Sequence, residues 1–226
     1  MAAAVLMAVS CHNGKKVKEE VKYVALSFDD GPNLVTTPKV LDVLEANGVP
    51  ASFFEEGQYI NDGTAVVMRR EVALGCEIEN HSFSHSYMAD ELTEEQWLDE
   101  IARTNELVEK YVGRTPKFFR PPYINHNEAM HQSIGLTFIC GTGCEDWEPS
   151  VSVEQRVETL LRDVKDGDVI LLHDFEGNDN TVEALKTFIP AMKERGFEFV
   201  TVSKLFEVKG VSPAPNDGKI YTNVAD

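Results

Sequence analysis

The sequence predicts one α/β domain, a (β/α) barrel of about seven parallel strands. Two observations carry this expectation. Short, continuous apolar runs alternate strictly with longer amphipathic stretches, the pattern of a parallel sheet buried on both faces and covered by helices. The unusual polar residues fall after five different strands, and a barrel gathers every strand's C-terminal end around one mouth, whereas an open sheet concentrates its site at one switch point. A chain of 226 residues is long enough to bury one such core.

The first strand is the apolar run 24–28, cut off by Asp29-Asp30-Gly31-Pro32, two adjacent carboxylates and a pair that forces a turn. Thr36-Thr37-Pro38 supplies a cap and a first-turn proline for a helix ending near Ala46, with Gly48 stopping it. Residues 51–54 read as the second strand, 62–74 as a helix closed by Gly75, and 76–79 as the third strand. Thr93-Glu94-Glu95-Gln96 is a capping box opening a long amphipathic helix that ends at Gly113. Strand four is 117–120, a short helix spans 127–134, and strand five is 136–140. A helix over 152–164, strand six over 168–172, a helix over 182–195 and strand seven over 197–202 complete the pattern.

Outside the domain, residues 1–11 are small and apolar before the chain turns basic at 12–18, and Ser10-Cys11 resembles a bacterial lipoprotein cleavage site. The expected organisation is a leader and linker over 1–20, the globular domain over 21–208 and a C-terminal tail over 209–226 whose Pro213, Pro215, Asn216 and Gly218 read as peripheral. The expected location is outside the cytoplasm: a periplasmic or cell-surface bacterial lipoprotein anchored at Cys11, or a secreted protein. No stretch elsewhere is long and apolar enough to span a bilayer. With 21 Lys and Arg against 38 Asp and Glu, the net charge of −17 repels nucleic-acid phosphates and anionic lipid, so a neutral or cationic partner fits and nucleic acid does not. A monomer is expected. Cys76 and Cys140 read as small buried residues, Cys144 is left open, and no second pair accompanies Cys140-x-x-x-Cys144 to make a structural zinc site.

The chemistry lies at the strand ends. His81 and His85 are four apart, a spacing that puts both imidazoles on one face of a helix or tight turn. Joined to a carboxylate from Asp29 or Asp30, they make three ligands with positions left for water, as expected of a catalytic divalent metal, zinc by default and non-haem iron as an alternative. In Arg120-Pro121-Pro122-Tyr123 the prolines remove two donors and fix an extended path, so the Tyr123 N–H can serve a developing oxyanion. Arg120 itself needs a carboxylate partner. His173 ends the sixth strand, and with Asp146 on its far nitrogen it becomes an imidazolium able to donate a proton to a leaving group.

The motifs Ser27-Phe28-Asp29-Asp30-Gly31-Pro32, His81-x-x-x-His85, Arg120-Pro121-Pro122-Tyr123, Asp146-Trp147 and Leu171-Leu172-His173, in this order, resemble the five motifs of the NodB-type polysaccharide deacetylases, carbohydrate esterase family 4. The likeness covers about residues 23–206 and is nearest in texture to bacterial acetylxylan esterases and chitooligosaccharide deacetylases. The resemblance implies a distorted (β/α) barrel and metal-dependent removal of acetyl groups from an oligo- or polysaccharide, either N-acetyl groups of N-acetylglucosamine polymers or O-acetyl groups of xylan. It implies that Asp29 is the general base, that Asp30, His81 and His85 hold one divalent metal (zinc, with cobalt, nickel or manganese as alternatives), and that Arg120 orients Asp29. By the same resemblance Tyr123 gives its N–H to the oxyanion, His173 tuned by Asp146 is the general acid, and Trp147, Leu171, Pro122 and Tyr123 contact substrate. Ser86 replaces the family's usual proline, Ile124-Asn125 the glycine usual after the tyrosine, and Gly143 an acid, changes that reshape the rim and leave every named catalytic group in place. A glycan-binding protein with impaired turnover is the alternative function. An iron oxygenase would leave the Asp146–His173 pair without a task.

Overall fold

The computed structural model describes residues 21–225; the leader-like stretch with Cys11 lies outside them. The chain runs β1 (Lys22–Gly31), α1 (Thr37–Asn47), β2 (Ser52–Glu55), α2 (Ala65–Ala73), β3 (Glu77–Asn80), α3 (Met88–Glu91), α4 (Glu94–Val112) and β4 (Phe118–Phe119). It continues through α5 (Glu128–Ser133), β5 (Thr137–Ile139), α6 (Val153–Asp163), β6 (Val169–His173), α7 (Asp179–Glu194), β7 (Phe197–Val200), α8 (Val202–Lys209) and β8 (Ile220–Tyr221). No helix among the described residues is long and apolar enough to cross a membrane.

Neighbouring strands pair in the order β6-β1-β2-β3-β4-β5-β8, all parallel. The long β1 carries two partners along one edge: its N-terminal half pairs with β7 and its C-terminal half with β6. The sheet closes irregularly. Thr142, beyond β5, bridges to Ile170, and the Val169 N–H donates to the Thr222 carbonyl, so β5, the C-terminal segment and β6 meet. The result is the curled α/β barrel expected from the alternation of elements.

Helix boundaries follow local chemistry. Thr93 with Gln96, and Ser152 with Gln155, form reciprocal capping boxes at the starts of α4 and α6. Gly48 and Gly113 take left-handed conformations that end α1 and α4. Residues alternate along β1: Val24, Leu26 and Phe28 pack outward with α1 and α7 residues, while Ala25 faces Phe54, Phe118, Ile139 and Val169, with Val202, Leu205 and Phe206 of α8 completing that cluster. Three features differ from the sequence expectation. Residues 202–209 leave the sheet as α8 because the Thr201 hydroxyl caps the Lys204 N–H. The tail from residue 209 is not peripheral throughout, since Ile220–Tyr221 forms β8 and Val224 is buried. Cys140 lies one residue past β5 and is half-buried rather than buried; Cys76 and Cys144 are buried.

One buried cluster is acidic. Glu55, Glu71 and Asp174 are fully buried, and Glu55 Oε1 and Oε2, Glu71 Oε1 and Oε2, and Asp174 Oδ1 receive no hydrogen bond among the described residues. Gly31 packs closely against them, for a Cβ there would lie 2.6 Å from Glu55 Oε2 and 3.0 Å from Asp174 Oδ1, and these side chains would have to shift. Burial first, and then the neighbouring carboxyl charges, push Glu55 and Glu71 well above the usual range, while burial drives Asp174 from 3.8 to about 7. A carboxyl raised in this way keeps its proton longer folded than unfolded, so its stabilising contribution is complete below the unfolded value and is lost as pH rises through the folded one. Glu71→Gln keeps the shape and supplies a neutral donor to Glu55. It is expected to raise the melting temperature at pH 8 by about 3 °C and less at pH 5; thermal scans showing no gain at pH 8 would contradict the protonated-carboxyl account.

Candidate active site and metal centre

The mouth of the barrel is built from the segments that follow the strands. β1 carries both acids at its end, and its left-handed turn at Asp30, φ 75°, separates them. Asp29 points inward, where Arg120 Nη1 donates to its Oδ1 at 2.5 Å. The Arg120 guanidinium is fully buried: Nη2 donates to Ser27 Oγ at 2.9 Å and to the Cys140 carbonyl at 2.8 Å, and the group lies 4.1 Å from the centre of the Phe54 ring.

After β3 the chain forms a tight loop, not a helix. Asn80 Oδ1 accepts the Ser82 N–H at 2.8 Å, Glu100 Oε2 accepts those of Phe83 and Ser84 at 2.9 and 2.6 Å, and Ser82 Oγ accepts that of His85 at 3.1 Å. Ser82 and His85 are left-handed, with φ 65° and 58°. This path brings both imidazoles to one point. His81 Nδ1 donates to the Arg120 carbonyl at 2.7 Å, which leaves Nε2 unprotonated in the neutral ring and aimed into the cleft. His81 Nε2 and His85 Nε2 each lie 3.4 Å from Asp30 Oδ1, while Asp29 Oδ2 is 3.8 Å from His81 Nε2.

The donor set fits a divalent cation. Asp30, His81 and His85 place one ligand atom each within 4.8 Å of the others, and Asp30 Oδ1 is buried without a hydrogen-bond donor. Burial opposes the charged form of Asp30, yet the His81 imidazole 3.4 Å away and the His173 and His85 charges hold its carboxyl down at about 2. Burial lowers His85, with the His81 charge adding to it; at His81 burial is outweighed by Asp29 and Asp30, so its pKa is raised.

Across the cleft stands the second acid–base pair. His173 Nδ1 bonds Asp146 Oδ1 at 2.8 Å, and Asp146 Oδ2 accepts from the His173 N–H at 2.9 Å and Thr181 Oγ1 at 2.8 Å. Burial disfavours imidazolium, but the Asp146 hydrogen bond and charge, with Asp29 and Asp30, raise His173 to about 9. Trp147 meets its ring edge-on, centroids 5.3 Å apart.

A cavity of about 540 Å³ joins these groups: Asp29, Asp30, His81, His85 and His173 line it together with Trp147, Leu171 and Tyr123. Pro122 is buried, and its neighbour Pro121 lines the cavity in its place. Sequence reasoning missed several contributors. Ser27, Thr181 and Asn178 support Arg120 or Asp146, and Gly141 lies where a Cβ would come within 2.6 Å of Leu171 Cβ. The Ser27 position was available within the first motif, whereas Thr181 and Asn178 sit at the start of α7 with no signal of their own.

Comparison with known proteins settles the family. Polysaccharide deacetylase, as a family, matches residues 16–139. The chain belongs to the polysaccharide deacetylases. It is 48% identical over 203 residues to a bifunctional xylanase/deacetylase of Pseudobutyrivibrio xylanivorans, covering 90% of this chain and 33% of that protein. The chain thus spans a third of the length of that relative. A peptidoglycan-N-acetylglucosamine deacetylase of Bacillus cereus is 35% identical over 204 residues, 86% of this chain and 92% of that protein. Among solved structures, a family 4 acetyl xylan esterase from Clostridium thermocellum in complex with a cobalt ion superposes with a TM-score of 0.87 at 45% identity, covering 90% of this chain and 99% of that one.

If the three ligands act together, Asp30→Asn or His85→Ala lowers bound divalent metal from one equivalent to below about one tenth. Elemental analysis of the dialysed proteins checks this, and full retention in both variants would remove the site.

Proposed function

We propose that this deacetylase hydrolyses O-acetyl esters of xylan, with zinc held by Asp30, His81 and His85. The observation that carries the reading is the opposition of two acid–base pairs, Asp29 with Arg120 and His173 with Asp146, across one cavity that also holds the three metal-binding side chains. Bound there, the ion would polarise the acetyl carbonyl and lower the pKa of a water. Asp29 takes the water's proton at Oδ2, since Arg120 occupies Oδ1. The Tyr123 N–H, the first after two prolines, steadies the developing oxyanion. His173 delivers its proton from Nε2 to the departing sugar oxygen, because Nδ1 is committed to Asp146. Trp147 and Leu171 wall the space for the acetyl methyl.

The xylan assignment is supported by the 48% and 45% identities to proteins named for xylan or its acetyl esters. N-acetyl groups of peptidoglycan are the second reading, favoured by the Bacillus cereus relative. A glycan binder without turnover has no use for two separately satisfied acid–base pairs. Export as a lipoprotein, anchored at Cys11, belongs to the same proposal, since polymeric xylan does not enter a cell.

Acetate release from acetylated xylan should exceed that from chitooligosaccharides or peptidoglycan, and EDTA should abolish it; a preference for the N-acetylated polymers would replace xylan with the second reading. Asp29→Asn and His173→Ala should each lower kcat by about 10²–10⁴-fold with metal content intact.

His173 must be protonated to act, so activity falls as pH rises through its pKa. Asp146→Asn removes the raising charge and should move the alkaline limb of the kcat–pH profile toward neutral pH. A limb that stays in place would exclude His173 as the acid.

A further inference from the structure

The second metal-binding histidine sits on a short segment between a pinned loop and the start of α3, where the Tyr87 carbonyl accepts the Asp90 and Glu91 N–H groups at 3.2 and 2.8 Å. Glu100 and Ser82 pin the preceding residues, and beyond His85 the chain passes Ser86 and Tyr87 into the short α3. Rings add a second support, one that reaches across to the loop after β4. Tyr87 lies flat on Tyr123, with centroids 3.8 Å apart and an interplanar angle of 3°. Tyr123 in turn meets His85 at 4.6 Å and 68°, and His85 meets His81 at 5.0 Å and 63°.

Tyr123 needs holding for its own sake. It and Ile124 are consecutive left-handed residues, with φ 56° and 53°, a conformation that costs a side-chain-bearing residue about 1–2 kcal/mol and is least suited to β-branched isoleucine. The next residue ties this loop to α3 from the other end: Asn125 Oδ1 accepts the Ala89 N–H at 2.7 Å, and Asn125 Nδ2 donates to Asp90 Oδ2 at 2.6 Å. Tyr87 is 43% exposed, is no part of the cavity wall, and its hydroxyl makes no hydrogen bond to the described residues. An exposed aromatic with an idle hydroxyl, stacked on a strained loop, contributes through its face.

We propose that Tyr87 and Asn125 are positioning residues, a two-point clamp that locks the loop after β4 onto the segment after β3 and so fixes His85 and the Tyr123 N–H relative to one another. Neither touches substrate. The inference rests on the reading that Asp30, His81 and His85 hold a divalent metal. Loss of the stack frees the Tyr123 ring to leave His85, and both the metal affinity and the oxyanion donor suffer together.

The test uses the full chain as wild type, Tyr87→Ala, Tyr87→Phe and Asn125→Ala, and measures the zinc dissociation constant by competition with a chromophoric chelator, alongside kcat and KM. Tyr87→Ala is expected to weaken zinc binding about tenfold and to lower kcat with little change in KM, Tyr87→Phe to restore both, and Asn125→Ala to weaken zinc binding about threefold. Unchanged zinc affinity and kcat in Tyr87→Ala with a raised KM would overturn the clamp and make Tyr87 a sugar contact. Should Tyr87→Ala fail to fold, Asn125→Ala decides alone, and wild-type zinc affinity in it overturns the proposal. A wild-type protein that binds no zinc would overturn the metal-site reading and the clamp with it.

Discussion

The buried guanidinium of Arg120 is the interaction on which the site depends. A charge taken fully out of water costs several kcal/mol unless it is paired and hydrogen-bonded, so its surroundings are constrained to supply partners. Those partners come from around the barrel: Asp29 and Ser27 from β1, the Cys140 carbonyl just past β5, and the Phe54 ring of β2. Ser27 passes the linkage on to β6 through the Ile170 carbonyl. The residue's own carbonyl then fixes His81 beyond β3. One side chain and its backbone oxygen thereby set the relative positions of Asp29 and the first histidine, and a change there would leave Asp29 unpaired in the interior.

The same chemical group behaves oppositely within a short distance. Asp30, facing three imidazoles, is drawn down to about 2, whereas Asp174, with other carboxyls for neighbours, is driven up to about 7. Burial raises both; the difference lies in what the burial encloses. The chain therefore separates a cation-accepting layer at the mouth from a proton-holding layer among Glu55, Glu71 and Asp174, with Gly31 marking the narrow passage between β1 and the latter.

Much of this was legible because strand ends punctuate the sequence. An apolar run stopping on Asp29-Asp30 or on His173 announces both an element and a group left at the mouth, and parallel alternation makes all such ends converge. The second layer was less visible. Glu71 lies on a helix among other charged residues, and nothing local distinguishes it from a solvated face. Thr181 and Asn178 reach Asp146 only through the docking of α7, and β8 is a two-residue strand whose existence depends on the gap between β5 and β6. The Tyr87–Tyr123 stack joins residues on separate loops, and no periodicity within either loop foretells it.

The backbone shows where the fold spends conformational energy. The non-glycine residues with left-handed φ among those described are Asp30, Ser82, His85, Tyr123, Ile124 and Glu145, and each belongs to the end of β1 or to a segment following β3, β4 or β5 at the mouth. At about 1–2 kcal/mol apiece such conformations persist only where neighbours over-determine them. The neighbours here are specific: Asn80, Ser82 and Glu100 under the histidine loop, Tyr87 and Asn125 around Tyr123, and His173 and Thr181 on Asp146 next to Glu145. A relaxed backbone would turn these side chains elsewhere. Regular strands and capped helices hold the rest of the chain in low-energy conformations, and that surplus of stability is what allows the strained turns to bring two imidazoles and a carboxylate to a single cavity.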